Sequence, residues 1–248
     1  MNSATPLHAG RHGAARHVDI PLDTAAENAP RVMIWDAPVR VMHWLLAVTV
    51  LGAFITAESE RWQLVHVTLG YTAGGVAALR ALWGLVGTRY ARFASFVRGP
   101  SAIWAYVRSM ATGRPEHHTG HNPAGALAMV GMLALTLFAA ISGWMTYTDT
   151  GGNILEEVHE VLGNALIWLA GFHVLAAIVA SLMHRENLVR AMFTGRKRAA
   201  PREAIRGTHR MLAAIILIAT LGFWAYQWNT APAGALPGIG SSAGQRSD

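Results

Sequence analysis

Four of the twelve histidines in this chain, His43, His66, His159 and His173, interrupt stretches that are otherwise apolar. An ionisable, metal-ligating side chain inside a long apolar helix is costly, and it is kept for a partner: a metal, a hydrogen-bonding neighbour or a proton path. His159 and His173 are fourteen residues apart in one such stretch. On a helix, that spacing is ~21 Å along the axis, with the side chains within ~40° of the same face. One helix can therefore present two imidazoles to one bundle interior at two depths.

The elements that must hold these groups follow from composition. Of 248 residues, 52% are apolar and only 14% are charged, which is too hydrophobic for an ordinary soluble domain. Five apolar runs, at about 39–57, 65–86, 123–148, 157–183 and 209–228, are long enough to cross a hydrocarbon core of ~30 Å. The third and fifth contain no Asp, Glu, Lys or Arg between Pro123 and Tyr147 or between Met211 and Trp228. A net charge of +6 could suggest nucleic acid, but the basic residues gather between the apolar runs. Arg89, Arg92, Arg98, Arg108 and Arg114 follow the second run, and Arg185, Arg190, Arg196, Lys197, Arg198, Arg202 and Arg206 follow the fourth.

By the positive-inside rule both loops face the cytoplasm, with the N-terminus inside and the C-terminus outside. Trp35, Trp44, Trp62, Trp83, Trp144, Trp224 and Trp228 fall near the span ends, where an interfacial aromatic belt is expected. The first thirty residues have no apolar core of signal-peptide length. The expected organisation is a polar cytoplasmic tail over 1–33, a four-helix membrane domain over 34–198, a linker and fifth span over 199–229, and a disordered periplasmic tail over 230–248.

Topology assigns each histidine a depth. His43 lies at the start of a helix entering from the cytoplasm, and His66 begins the helix that returns from outside. The fourth helix also enters from outside, with His159 near its outer end and His173 deeper. The four resolve into an inner pair, His43 with His173, and an outer pair, His66 with His159. Two imidazoles from facing helices at one level are what six-coordinate haem iron takes as axial ligands, and a bundle core is a usual place for such a site. Two stacked sites form a path for electrons across the bilayer. The absence of cysteine excludes thiolate-held clusters and covalent c-type attachment, so any haem here is non-covalent.

Each histidine is followed four residues later, on the same helical face, by Ala47, Gly70, Gly163 or Ala177. A small residue there leaves room for a porphyrin, and it serves plain helix packing equally well. Arg80, fourteen residues after His66, reaches the depth of the inner pair and could meet a haem propionate or snorkel to the interface. Arg40, one turn before His43, has the same two readings.

A single intramembrane histidine is more often a hydrogen-bonder or proton relay, but four that pair by depth favour ligation over a haem-free proton-coupled transporter. Zinc does not suit four histidines split between two levels. His8, His12 and His17 read as solvated tail, His117, His118 and His121 as solvated loop, and His184 and His209 as interfacial. Met42, beside His43, and Met129, Met132 and Met145 read as packing.

At these residues the chain resembles the bacterial cytochrome b561 and nickel–iron hydrogenase b-type cytochrome family. The matching segments are Trp35-Asp36 with Val-Arg-Val-Met-His-Trp at 39–44, His66-Val-Thr-Leu-Gly70-Tyr71, and Gly120-His-Asn-Pro-Ala-Gly125. To these are added His159-Glu160 with Asn164, and Gly171-Phe-His173 leading to His184-Arg-Glu-Asn-Leu188. The resemblance implies an all-α, integral membrane bundle with a four-helix haem-binding core. It would hold two haem b groups on His43, His66, His159 and His173 and pass electrons between the quinone pool and a periplasmic partner. That partner would be a c-type cytochrome or a hydrogenase subunit.

The fifth helix departs from the shorter members of the family and could recruit another subunit. A quinone-linked oxidoreductase and a non-catalytic anchor and electron wire both remain open. For quinone protons the sequence offers only His184 and Glu186 on the cytoplasmic side.

Overall fold

The computed structural model describes residues 30–97, 99–112, 120, 122–183 and 185–232. Seven α-helices are present among them. α1 spans Ala37–Thr56, α2 Gln63–Val86, α3 Pro100–Ala111, α4 Pro123–Tyr147, α5 Gly152–Met183, α6 Leu188–Thr194 and α7 Arg210–Asn229. Five of them, α1, α2, α4, α5 and α7, are long and apolar enough to cross a membrane, and they coincide with the five apolar runs. The protein is a multi-pass membrane protein.

Local chemistry sets where these helices begin. Asp36 caps α1 by accepting from Val39 N at 2.8 Å, and Asn122 caps α4 by accepting from Gly125 N at 2.7 Å. In each case a proline stands in the first turn, where its missing N–H is not needed. Within the spans, Thr49, Thr56, Thr68, Thr72, Thr136 and Thr220 return their hydroxyls to the carbonyl four residues back. That bond satisfies a polar group where water is excluded. α5 has 32 residues, a length of ~48 Å, so it either tilts across the hydrocarbon layer or runs past it.

α1 and α2 pack as one hairpin and α4 and α5 as another; α2 rests on α4, and a lighter contact joins α1 to α5. α7 packs on α1 and α2, through Met42, Val76 and Ile216 and through Trp224 Nε1, which donates to Thr72 Oγ1 at 2.8 Å. The outward faces carry Leu82, Ile141, Trp168, Leu182 and Ile218, as suits contact with lipid. In α3, Tyr106 is buried while Trp104 and Arg108 are exposed, the pattern of a helix lying along a bilayer surface.

The arginine-rich end, where α1 starts and α5 finishes, is closed by a ribbon. β1 (Arg31–Met33) pairs antiparallel with β2 (Arg196–Arg198), with Val32 opposite Lys197. Ile34 N and Trp35 N both donate to Gly195 O, at 2.8 and 3.0 Å. Gly195 has φ 77°, a left-handed conformation that suits glycine at a helix end. Ile34, Trp35, Val39, Tyr90, Ala91, Ala191 and Ala199 form a buried cluster behind the ribbon.

The expected polar tail thus meets ordered backbone at Arg31. The belt expectation also needs correction, because Trp35, Trp83 and Trp224 are engaged inside the protein, while Trp62, Trp144 and Trp228 are exposed. The two expected tails, apart from residues 30–33 and 230–232, lie outside the described residues, as do His8, His12, His17, Arg98, Arg114, His117, His118, His121 and His184.

Asp36 is fully buried and, besides capping α1, accepts from Trp83 Nε1 at 3.0 Å and Thr88 Oγ1 at 2.7 Å. Asp36→Ala removes the cap and orphans two donors, so detergent-solubilised protein should lose about 3 kcal/mol in chemical unfolding. Asp36→Asn keeps the cap and should lose less.

Lys197, the only lysine in the sequence, lies against Glu186 with Nζ 3.8 Å from Oε2. Burial holds its ammonium below the ordinary lysine value of 10.5, outweighing the opposing pull of Glu186. The unfolded chain then binds more protons than the folded one between the lowered value and 10.5, so this group makes stability rise with pH through that window. The wild type should show this alkaline rise relative to Lys197→Met when unfolding is followed from neutral pH to about 10.5.

Candidate functional site

The four membrane histidines come together in two places. His66, on the first turn of α2, and His159, on the second turn of α5, have ring centroids 6.0 Å apart with planes 87° apart. His66 Nδ1 lies 2.8 Å from Ala53 O near the end of α1. His159 Nδ1 lies 2.9 Å from Ala139 O in α4. A carbonyl can only accept, so both Nδ1 atoms carry a proton, and in the neutral ring this leaves the lone pair on Nε2. Fixing the tautomer through the far nitrogen is how proteins prepare histidine as a metal ligand. Bonds of about 2 Å to two imidazole nitrogens place the ring centroids roughly 6 Å apart, so the spacing suits one metal ion between them.

His43, on the second turn of α1, and His173, near the end of α5, are within electrostatic reach of each other, across the contact between these helices. His43 Nδ1 is buried without a hydrogen-bond partner among the described residues. Such an atom costs free energy unless something satisfies it. Met42, next in sequence, turns the other way and is 1% exposed against Val76 and Ile216, so it is a packing residue.

Gly70 and Gly163, one turn after His66 and His159, both open onto free space where a Cβ would meet nothing within 4 Å. Gly143 does the opposite: a Cβ there would lie 2.7 Å from His159 Cε1 and 3.0 Å from Nδ1. The ring of His159 therefore rests on the bare backbone of Gly143, and this lets it reach the carbonyl of Ala139 one turn earlier. Sequence reading missed Gly143 because glycine is common in membrane helices and its role depends on which helix faces it. Ser142 Oγ adds a contact to His159 Nδ1 at 3.3 Å.

Arg80 is 4% exposed, so its head does not snorkel. One amino group touches Met129 Sδ at 3.5 Å, the guanidinium lies 5.6 Å from the Phe93 ring centroid, and NH1 has no hydrogen-bond partner among the described residues. A buried guanidinium with an unmet donor suits a carboxylate. Arg40 donates from NH1 to Phe193 O at 2.6 Å and holds the end of α6, while its Nε remains unmet. Glu186 accepts from Arg198 N at 2.7 Å besides pairing with Lys197, so it braces β2.

No group of three or more His, Asp or Glu able to hold a metal occurs among the described residues. Two histidines on either side of a shared space, with room beside them and a buried cation at one end, instead fit an iron whose remaining ligands come from a macrocycle. The family model described as prokaryotic cytochrome b561 matches residues 34–195. The chain belongs to that family.

Among curated proteins it is similar to the "Probable Ni/Fe-hydrogenase 1 B-type cytochrome subunit" of Escherichia coli K12. The two are 26% identical over 220 residues, covering 68% of this chain and 92% of that protein. Similar B-type cytochrome subunits occur in Rhodobacter capsulatus, at 26% identity over 67% of this chain and 81% of the relative, and in Cupriavidus necator, at 26% over 77% and 97%. No solved structure matches. As a b-type cytochrome the protein is a haem b membrane protein of electron transport.

Gly143→Ala should push the His159 ring off Ala139 O and weaken haem retention. A pyridine haemochrome assay should find less haem b per polypeptide than in Gly222→Ala, whose added methyl meets nothing. Equal content in the two variants would show that α4 and α5 separate enough to absorb the methyl.

Proposed function

We propose that the chain holds two haem b groups, one on His43 and His173 and one on His66 and His159, and carries electrons across the bilayer between the quinone pool and a periplasmic hydrogenase. The observation that carries this reading is the apposition of His66 and His159 with each Nδ1 tied to a backbone carbonyl, repeated ~21 Å along α5 by a second histidine near His43. When bound, haem b supplies a one-electron redox couple.

The chain's own residues do the rest. Nδ1–H bonds at His66 and His159 hold the rings in one tautomer and orientation. Gly70 and Gly163 leave flat space beside their histidines, and the apolar spans keep water away. Arg80 would meet a propionate carboxylate with its unmatched donor, and Arg40 would do so with Nε. The distribution of arginine supports an inner-membrane protein with a cytoplasmic N-terminus and a periplasmic C-terminus. In that orientation the His66–His159 pair is the outer one.

The names of the relatives favour hydrogenase over a c-type cytochrome as the periplasmic partner. They equally support a second reading, in which the chain is the membrane anchor and electron wire of that enzyme without catalysis of its own. Family membership sets aside the haem-free transporter. Haem reduction by quinol in the isolated chain supports a self-sufficient quinone-linked oxidoreductase, and reduction only after a hydrogenase is added supports the wire.

Potentiometric titration of four alanine variants tests the pairing. His43→Ala and His173→Ala should abolish the same haem signal, and His66→Ala and His159→Ala the other. Loss of one common signal in His43→Ala and His159→Ala would contradict it.

A further inference from the structure

Away from the histidines, the arginine-rich end carries a cavity of about 380 Å³ lined by Thr88, Arg89, Arg202, Ala204, Ile205 and Arg206. Three arginines line it from two separate segments, Arg89 from the turn after α2 and Arg202 and Arg206 from the linker leading to α7. All three are exposed, and none joins a salt bridge among the described residues. The Arg89 guanidinium lies 5.3 Å from the ring centroid of its neighbour Tyr90. No carboxylate lines the cavity. Three like charges held around one space by the fold, with no counter-charge from the lining, make a receptor for an anion, and guanidinium suits phosphate oxygens.

The walls are fixed by the structure behind them. Thr88 Oγ1 is bonded to buried Asp36, and Ile205 N donates to Met33 O at 2.9 Å. The cavity also sits where two spans end. Thr88 is two residues past Val86, the end of α2, and Arg206 is four residues before Arg210, the start of α7. The Trp83 and His209 rings, 5.3 Å apart, hold those two ends together. On the end turns above the cavity, Leu82, Leu85 and Val86 of α2 and Met211 of α7 are exposed apolar side chains. Cations at headgroup level beneath exposed apolar turns match a ligand with an anionic head and hydrocarbon tails.

We propose that the cavity between Arg89, Arg202 and Arg206 binds the phosphate headgroup of an anionic phospholipid, with the acyl chains lying along the end turns of α2 and α7. A zwitterionic lipid carries an ammonium that three guanidinium groups repel, so the site selects for net negative charge. The bound lipid would join the linker before α7 to the end of α2 and hold the fifth span against the bundle.

The test is native mass spectrometry of the detergent-purified holoprotein with phosphatidylglycerol, phosphatidylcholine or inorganic phosphate. The wild type should retain phosphatidylglycerol roughly tenfold or more over phosphatidylcholine, and millimolar inorganic phosphate should not displace it. The triple variant Arg89→Gln, Arg202→Gln, Arg206→Gln should lose that preference with an unchanged haem spectrum. The corresponding triple lysine variant should keep it, as should Arg190→Gln, which alters an exposed arginine outside the cavity. A preference that survives in the triple glutamine variant, or equal retention of phosphatidylcholine, overturns the proposal. Displacement by inorganic phosphate overturns it in favour of a simple anion site.

Discussion

An imidazole inside an apolar helix bundle has two nitrogens to satisfy and no water to satisfy them, and the arrangement around His66 and His159 answers to that constraint. In each ring, one nitrogen is committed to a carbonyl of a neighbouring helix, Ala53 O for His66 and Ala139 O for His159. The two ring centroids lie 6.0 Å apart. The helices that supply the two carbonyls, α1 and α4, are the hairpin partners of the helices that carry the two rings. The hairpins therefore set the tautomers as well as the positions.

The second pair depends on longer-range supports. His43 takes its height from the start of α1, which is fixed by Asp36 and by the ribbon that ties Ile34 and Trp35 to Gly195. The same ribbon follows α6, which follows α5, so both helices of the His43–His173 pair are referenced to one small clamp at the arginine-rich end. Asp36 extends that clamp to α2 through Trp83 and Thr88. A short polar assembly thus sets the register of three long apolar helices that have little directional chemistry of their own. The fifth span joins the same frame through Met42, Val76 and Ile216.

The spans and the pairing of histidines were legible because both are long-range patterns: continuous apolar runs, alternating loop charge and a fourteen-residue spacing. α1 begins at Ala37, two residues before its apolar run, because Asp36 and Pro38 start it. α5 begins at Gly152, several residues before its apolar run, because the helix continues through the acidic residues Glu156 and Glu157. The ribbon was not legible, since strands of three residues are too short to show alternation, and β1 and β2 pair from opposite ends of the sequence of the membrane domain. α6 is one short turn pair inside a basic loop, and α3 has a single exposed tryptophan as its signal. Gly143 carried no signal by itself. Its importance arises only when α4 and α5 meet and His159 lies against it. Trp35 and Trp83 have the composition of a belt, yet a buried carboxylate and an apolar cluster draw them inward.

The central claim is that each end of the bundle clamps one haem between two imidazoles, and the stoichiometry of cofactor to polypeptide addresses it most directly. Quantitative haem extraction from purified protein, normalised by amino-acid analysis, should give two haem b groups per chain. A value of one after expression with ample haem would leave one histidine pair without its ligand and contradict the account.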